Sequence, residues 1–490
     1  MSEQIPLHDL GFDQRVERDL NNPALRTNFR EAMDFLMDKR SSSFTDDVKL
    51  QELRTLGASI RKRALSKLPD LLEQLEAKLK ENGIRVHWAE SSEEANQTVL
   101  DIAQHHGAKT MIKGKSMVSE ETELNEFLEK KGIHPVEADM GEYILQLAEE
   151  KPSHIVMPAI HKSKEAIAEL FEQNLDDCEY TENVDALIQA ARKELRKQFH
   201  SADIGLTGVN FMVAETGSLV LVENEGNGRL ATTVPKVHIA MTGIEKVIEH
   251  LDDLPPLLTL LTNSATGQPI TTYVNMISSP RKGDEGGPEE VHLVLLDNGR
   301  TIPFADEEMR QTLQCIRCAA CMNHCPVYTR LGGHAYGTTY PGPIGSILSP
   351  HLLGLEATKD LPSASSLCGA CSEVCPVKIP IPDLLRRLRH EGVRKLKKDE
   401  DPVIRGHGAK YTHTEKAAWG SWSKLYSSPA LYRTFALSAT LLRGLTPSKM
   451  KGWTDYRTSP KPASKSLHSL VKNYRKEQEQ SRNKEAGGSQ

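Results

Sequence analysis

Residues 315–330 read CIRCAACMNHCPVYTR: four of the chain's eight cysteines fall within eleven positions, closed by Cys-Pro. No other stretch limits the fold as much. Thiols at this density pair with one another, hold a metal or do redox chemistry. The spacing C-x2-C-x2-C-x3-C-P is the ligand run of a bacterial-type [4Fe–4S] ferredoxin, in which the fourth cysteine reaches across to a second cluster. Here the four are Cys315, Cys318, Cys321 and Cys325, with Pro326 next. Soft thiolates on a curled loop can place sulfur on several irons, and the proline stops the loop from running on as a helix. Structural zinc is the competing reading, but zinc sites usually pair C-x2-C with a distant second pair. This run has no such break.

An echo follows in SSLCGACSEVCPVKIP. Cys368, Cys371 and Cys375-Pro376 match the second, third and fourth cysteines, and Ser365 stands where the first would fall. Under the crossing rule, cluster 1 takes Cys315, Cys318, Cys321 and Cys375, and cluster 2 takes Cys325, Cys368 and Cys371. The fourth corner of cluster 2 stays open to a serine alkoxide, another oxygen or nitrogen ligand, a partner's residue, an open iron or a [3Fe–4S] cluster. The 42 residues between Cys325 and Cys368 are rich in Gly and Pro and are expected to wrap the clusters without a helix. Cys178, alone in NLDDCEYTENV, is expected to be a bystander.

At 490 residues the chain is long enough for two or three domains. Its net charge of −6 is uneven: residues 401–490 hold 16 Lys/Arg against 6 Asp/Glu, which leaves −16 for the rest. The first residues lack a signal-peptide pattern, and no apolar run reaches the ~20 residues of a spanning helix. The expected compartment is therefore the cytoplasm, where clustered cysteines are metal ligands or redox groups rather than disulfides.

Residues 1–70 are expected to be helical, with Phe29, Met33, Phe35 and Met37 near helical spacing; LPDLLEQLEAKLKENG continues the pattern to Gly83. From there strands (IRVHWAE, AKTMIKG, IHPVEAD, HIVMPAI) alternate with helices (SSEEANQTVLDIAQHHG, SEETELNEFLEKKG, SKEAIAELFEQNL). Such alternation predicts an α/β domain over 71–300 with a mostly parallel sheet. Short β runs follow from about 203, the Gly/Pro-rich stretch at 279–290 reads as a long loop, and VHLVLLDNG is a further strand. Residues 301–400 hold the cysteines, and 401–490 form a basic extension whose last ten residues are expected to be disordered.

The cysteine segments, taken with the upstream AETGSLVLVENEGNGRLATTVPKVHIAMTG, resemble the lactate utilization protein B family over roughly residues 10–475. The resemblance implies an α/β lactate-utilisation domain of the CoA-transferase and ribose-phosphate isomerase kind, then a helical dicluster ferredoxin domain. It implies two [4Fe–4S] clusters and an electron-transfer subunit, not itself an enzyme, in oxidation of L-lactate to pyruvate. Sister subunits of a multi-protein complex are the implied partners. Ser365 belongs to the family's usual pattern.

Other residues are candidates as well. Gly114-Lys115-Ser116 ends like a phosphate loop but lacks its upstream glycine; an anion held between strand and helix stays open beside a solvated turn. Glu215, Glu223 and Glu225 lie near Asn227 and Arg229 in sequence, and one could serve as the nucleophile of a CoA-transferase-like enzyme with accessory clusters. That is the alternative function; solvated carboxylates on a turn are the plain one. His238 reads as a core histidine, whereas His334 and Tyr336 are open to two readings, tuning of a cluster through hydrogen bonds to sulfur or packing of the loop. Trp419, Trp422 and Trp453 in the basic extension suit docking to sister subunits or packing on the chain itself. Nucleic acid is not expected, and peripheral membrane contact is left open.

Overall fold

The computed structural model describes residues 10–176, 178–394, 403–404, 413–450, 454 and 458–487. Ten strands form two sheets: β1 Arg85–Ala89, β2 Thr110–Gly114, β3 His134–Glu137, β4 Ile204–Thr207, β5 Phe211–Val213, β6 Ser218–Glu223, β7 Val237–Gly243, β8 Val247–Ile248, β9 Tyr273–Ile277 and β10 Glu290–Leu296. Six pair in the order β1-β10-β7-β4-β2-β3, all parallel, in registers such as Leu293 opposite Ala240 and Ile112 opposite both Gly205 and Val136. All seven residues of β7 are buried, and helices cover both faces, so the central strands read as continuous apolar runs rather than alternating ones. The smaller sheet, β8-β5-β6-β9, is mixed.

The helices Pro23–Ser43, Asp47–Ser66 and Leu68–Glu81 precede β1. Phe29, Met33 and Leu36 of the first are buried while Phe35 is exposed, so Leu36 takes the inward place expected of Phe35. These side chains share one apolar core with the smaller sheet, the helix Leu254–Thr266 and the cysteine segment. By backbone contacts the chain divides into two units, residues 1–409 and 410–490.

Three local expectations are corrected. HIVMPAI forms turns, not a strand: the His154 Nδ1 accepts the N–H groups of Val156 and Met157 at 3.1 and 3.0 Å, and Pro158 has no N–H to give a ladder. The helix expected across 119–132 breaks into Met117–Glu121 and Leu124–Glu129. The break is at Glu123, φ 53°, where Asn96 Nδ2 takes the Thr122 carbonyl at 2.7 Å. The Gly/Pro-rich connector does contain a helix, Gly342–Leu353, buried along nearly its whole length. A backbone with no access to water must satisfy its own polar groups, and Pro343 in the first turn gives up an N–H that has no helical partner.

Candidate metal centre

Among the described residues 301–394 there is no strand; short helices and turns carry seven cysteines. Arg317 (φ 60°) and Ala319 (φ 61°) flank Cys318, and Leu367 (φ 55°) and Gly369 (φ 90°) flank Cys368. A short helix follows each, Ala320–Asn323 and Ala370–Val374. The repeat in the letters is therefore also a repeat in backbone conformation. Left-handed backbone at non-glycine residues costs energy and collects at functional sites; here it curls each loop around its thiols.

All seven thiols are free. Burial pushes five of them up: Cys318, Cys321 and Cys325, Cys371 to about 12 and Cys375 to about 11. The charges of nearby thiols add to this, and they show which thiols are neighbours. Cys318 responds to Cys315 and Cys375, and Cys321 to Cys315, Cys318 and Cys375. Cys325 responds to Cys368, and Cys371 to Cys325 and Cys368. The two groups meet where Cys371 acts on Cys321. Backbone N–H groups point at the sulfurs, from Arg317 to Cys315 at 3.3 Å, Tyr328 to Cys325 at 3.5 Å and Ile379 to Cys375 at 3.3 Å. Such donors stabilise sulfur that carries negative charge.

The group containing Cys315 lies at the carboxyl edge of the parallel sheet. The segment after β7 supplies Glu245 and Lys246, and the turn after β10 supplies Arg300. Arg300 is fully buried, with Nε 2.8 Å from Glu245 and both terminal nitrogens on Glu121. Tyr340 donates to the same Glu121 at 2.8 Å, and Arg317 lies over its ring, 4.7 Å from the centroid. Arg61 donates to the carbonyls of Val247, Leu313 and Glu245. Three guanidinium groups (Arg61 and Arg300 buried, Arg317 nearly so) and the amine of Lys246 thus face two carboxylates, Glu121 and Glu245. Burial and then Arg317 push Lys246 down to about 7, while Glu245 and a Cys315 thiolate pull the other way. On the opposite side Arg54 donates to the carbonyls of Cys375 and Ser372 at 2.9 and 3.0 Å. Buried cations need an anion, and a cluster held by four thiolates carries net negative charge. The residues fit that group.

The other group reaches the surface: Cys368 is exposed while Cys325 and Cys371 are buried. Ser365 Oγ accepts the Leu367 N–H at 3.1 Å, and Arg389 holds the Ser365 carbonyl at 3.1 Å. Behind it, Tyr328 donates to Ser153 at 2.6 Å. The buried Tyr336 hydroxyl has no hydrogen-bond partner among the described residues, and Cys325 and Cys321 act on it. A free donor beside the thiols fits the inorganic sulfide of a cluster. His334 does not: its Nε2 bonds the Lys151 carbonyl at 2.8 Å and its ring packs on His161. At Gly333 a Cβ would lie 1.8 Å from the Ser153 carbonyl oxygen, so only glycine allows the cysteine segment to dock there.

The remaining sequence candidates separate in space. Glu215 is exposed and accepts the Leu251 N–H at 2.8 Å. Glu223 is buried and fully engaged, taking the N–H groups of Gly228 and Arg229 at 2.7 Å and Asn275 Nδ2 at 2.8 Å. It caps the helix Asn227–Thr233. Glu225 lines the same cavity as Glu223 and lies 3.1 Å from Asn227 Nδ2. Lys115 is ion-paired with Asp139 and Ser116 caps a helix of five residues, so the Gly-Lys-Ser turn offers no free charge to an anion. His238 is a core residue, its Nε2 2.8 Å from Thr207 Oγ1. Cys178 packs against a different apolar cluster from the one that holds six of the other seven cysteines. Trp419 and Trp422 are exposed on the helix His413–Ser427, Trp422 stacked on Tyr426; Trp453 and residues 488–490 lie outside the described ones, whereas residues 481–487, expected to be disordered, continue the helix Leu467–Gly487. The acidic cavity beside Arg317 was missed, because its residues come from segments far apart in sequence.

Fold and thiols together define an α/β protein with a dicluster iron–sulfur module. Three family models match: LUD domain over residues 72–296, 4Fe-4S dicluster domain over 311–379, and Lactate utilisation protein B, C-terminal, over 387–476. Lactate utilization protein B of Shouchella clausii (strain KSM-K16) is 42% identical over 488 residues, 96% of this chain and 99% of the relative. That of Bacillus subtilis (strain 168) is 42% identical over 457 residues, 92% and 94% of the two chains. A crystal structure of a DUF162 family protein from Deinococcus radiodurans matches 47% of this chain and 98% of its own, at 12% identity and TM-score 0.26. The chain belongs to the lactate utilization protein B family. Among the described residues, no helix is long and apolar enough to cross a membrane.

Proposed function

We propose that this chain takes part in lactate utilisation as an electron carrier, relaying electrons released when L-lactate is oxidised to pyruvate. The carrying observation is the interleaving of the thiols: Cys375 of the second run neighbours Cys315 and Cys318, while Cys325 of the first neighbours Cys368 and Cys371. On this reading Cys315, Cys318, Cys321 and Cys375 hold one [4Fe–4S] cluster, and Cys325, Cys368 and Cys371 hold three corners of another. Bound clusters supply one-electron transfer. The protein supplies the buried cations around the first, the Tyr336 hydroxyl near the second, and an exposed outlet at Cys368.

Mononuclear zinc fits less well. Two sulfurs on one tetrahedral zinc stand about 3.8 Å apart, given Zn–S near 2.3 Å. Among the described residues, the triads of donor atoms within 4.8 Å of one another are His106–Glu290–His292 and Glu150–His161–His334, neither with a cysteine. A CoA-transferase-like reaction at Glu223 is disfavoured by the donors that occupy its carboxylate. We assign the docking of sister subunits, in the cytoplasm, to the exposed Cys368 edge and to the exposed Trp419 and Trp422.

The test is anaerobic purification with the sister proteins, followed by L-lactate. Lactate should bleach the visible cluster absorption, with about eight irons per chain, or about seven if the second cluster has an open corner. Cys318→Ser should stop lactate from reducing the downstream acceptor. Zinc at about one per chain without visible absorption would end this reading.

A further inference from the structure

A cavity of about 740 Å³ opens where β2 and β3 end. Ligands of open parallel sheets bind outside the carboxyl ends of the strands. Leu36, Ile155, Met157 and Leu261 give it an apolar wall, and Lys115, Asp139, Glu142 and Glu225 a polar one. Arg317 also lines it. That residue stands between Cys315 and Cys318 and donates its backbone N–H to Cys315, so the cavity adjoins the first group of thiols.

Its chemistry is specific. Lys115 is neutralised by Asp139 and Arg317 by Glu245, Lys39 is exposed at the rim, and carboxylates outnumber cations along the lining. An anionic ligand is therefore poorly served. The Glu142 Oε2 is buried and has no hydrogen-bond partner among the described residues. Burial first, and then the charge of Asp139, raise Glu142 well above the usual carboxyl range and Glu225 above it. Against its own burial, Asp139 is held low by Lys115. A carboxyl raised as far as Glu142, beside the Asp139 carboxylate, can give a proton to a ligand. Iron–sulfur clusters move electrons without protons, so a site that couples the two must hold a proton source of its own.

We propose that this cavity binds an uncharged quinone ring and that the ring takes electrons from the clusters. The proposal rests on the two-cluster reading above. With clusters bound by the two thiol groups and reduced, the chain would supply the two electrons the ring takes up, one from each cluster, which would return to its oxidised state. The Glu142 carboxyl delivers one proton and solvent at the rim the other, the two C=O groups become C–OH, and solvent reprotonates Glu142. The apolar wall packs the ring, and its uncharged carbonyl oxygens accept hydrogen bonds without meeting repulsion from the acidic lining.

The probe is duroquinone, whose four methyl groups block attack by thiols. The full chain is purified anaerobically and its clusters are verified by iron content and paramagnetic resonance. Calorimetric titration of the oxidised protein should show saturable binding, one ring per chain, and duroquinone should reoxidise the dithionite-reduced protein at a saturating rate. Glu142→Ala, and Met157→Trp from the apolar wall, should each weaken binding at least tenfold with the visible cluster spectrum unchanged. Cluster-loaded protein that shows no saturable binding, or binding indifferent to both variants, would overturn the proposal and leave the carrier reading standing. Displacement of the quinone by L-lactate or pyruvate would also overturn it, because the cavity would then be an anion site. A chain without iron that still bound duroquinone with these sensitivities would sink the cluster reading and keep the cavity.

Discussion

The guanidinium of Arg317 meets the carboxylate of Glu245 at 3.2 Å, both buried, and so ties the first cysteine loop to the carboxyl edge of the parallel sheet. Glu245 also holds Arg300 at 2.8 Å. Against its own burial, Arg300 and then Arg317 hold the Glu245 carboxyl down at about 2. One carboxylate therefore serves two buried cations. Glu245→Gln should cost about 3–5 kcal/mol, as breaking a buried ion pair does, and should raise the potential of the nearby cluster because a negative charge is lost. Denaturant unfolding and a redox titration followed by paramagnetic resonance measure the two effects. Unchanged stability would show that Arg317 and Arg300 do not depend on this carboxylate.

Tyr336 offers a second lever. Its hydroxyl is buried beside Cys325 and Cys321 with no protein partner among the described residues. A donor turned towards cluster sulfur favours the reduced, more negative state. Tyr336→Phe should lower one cluster potential by tens of millivolts, on the order of 1 kcal/mol for a lost hydrogen bond. His334→Gln should shift it less, since that imidazole is bound to Lys151. Equal shifts would undo this assignment.

Exposure at Cys368 predicts the order of oxidative loss. A cluster with three cysteines, one of them exposed, should lose iron to air before the buried one, giving a [3Fe–4S] resonance while the other cluster persists. Ser365→Cys should slow that loss several-fold, its backbone being already fixed by Arg389. Parallel decay of both clusters, insensitive to the substitution, would contradict it.

Acid should act on three buried histidines. His154 accepts two backbone N–H groups at Nδ1 and bonds Asn323 Oδ1 through Nε2 at 2.9 Å, so a second ring proton has no place. Burial lowers His154 to about 4, His238 to about 3 and His351 to about 4, from an ordinary value of 6.5. Each is neutral when folded and protonates first in the unfolded chain. The stability they contribute is fully present above pH 6.5 and falls as pH drops towards 4, by up to about 1.4 kcal/mol per pH unit for each histidine. Neither ring nitrogen of His351 has a partner among the described residues, so His351→Phe should flatten the slope between pH 6.5 and 5. Urea midpoints across that range decide it.

The sequence alone determined the thiol chemistry and much of the local structure. Ligand spacing is set by how a short loop wraps sulfur around a metal core, and that is a property of consecutive residues. The strands β1, β2 and β10 were legible for the same reason, as apolar runs bounded by turns. The segment at 154–160 was not, because one side chain captures two backbone donors and the cysteine segment docks against it. Nor was the cavity between Arg317 and Glu142, or the set of four basic side chains around Cys315. Residues 61, 142, 246, 300 and 317 come from five separate segments, and only the parallel sheet's carboxyl edge brings them together. Burial then decides their charges: Lys115 loses its free charge to Asp139, Glu223 spends its oxygens on a helix end, and Glu142 keeps its proton. Desolvation and pairing follow from what surrounds a group in space, and letters in a line do not carry that.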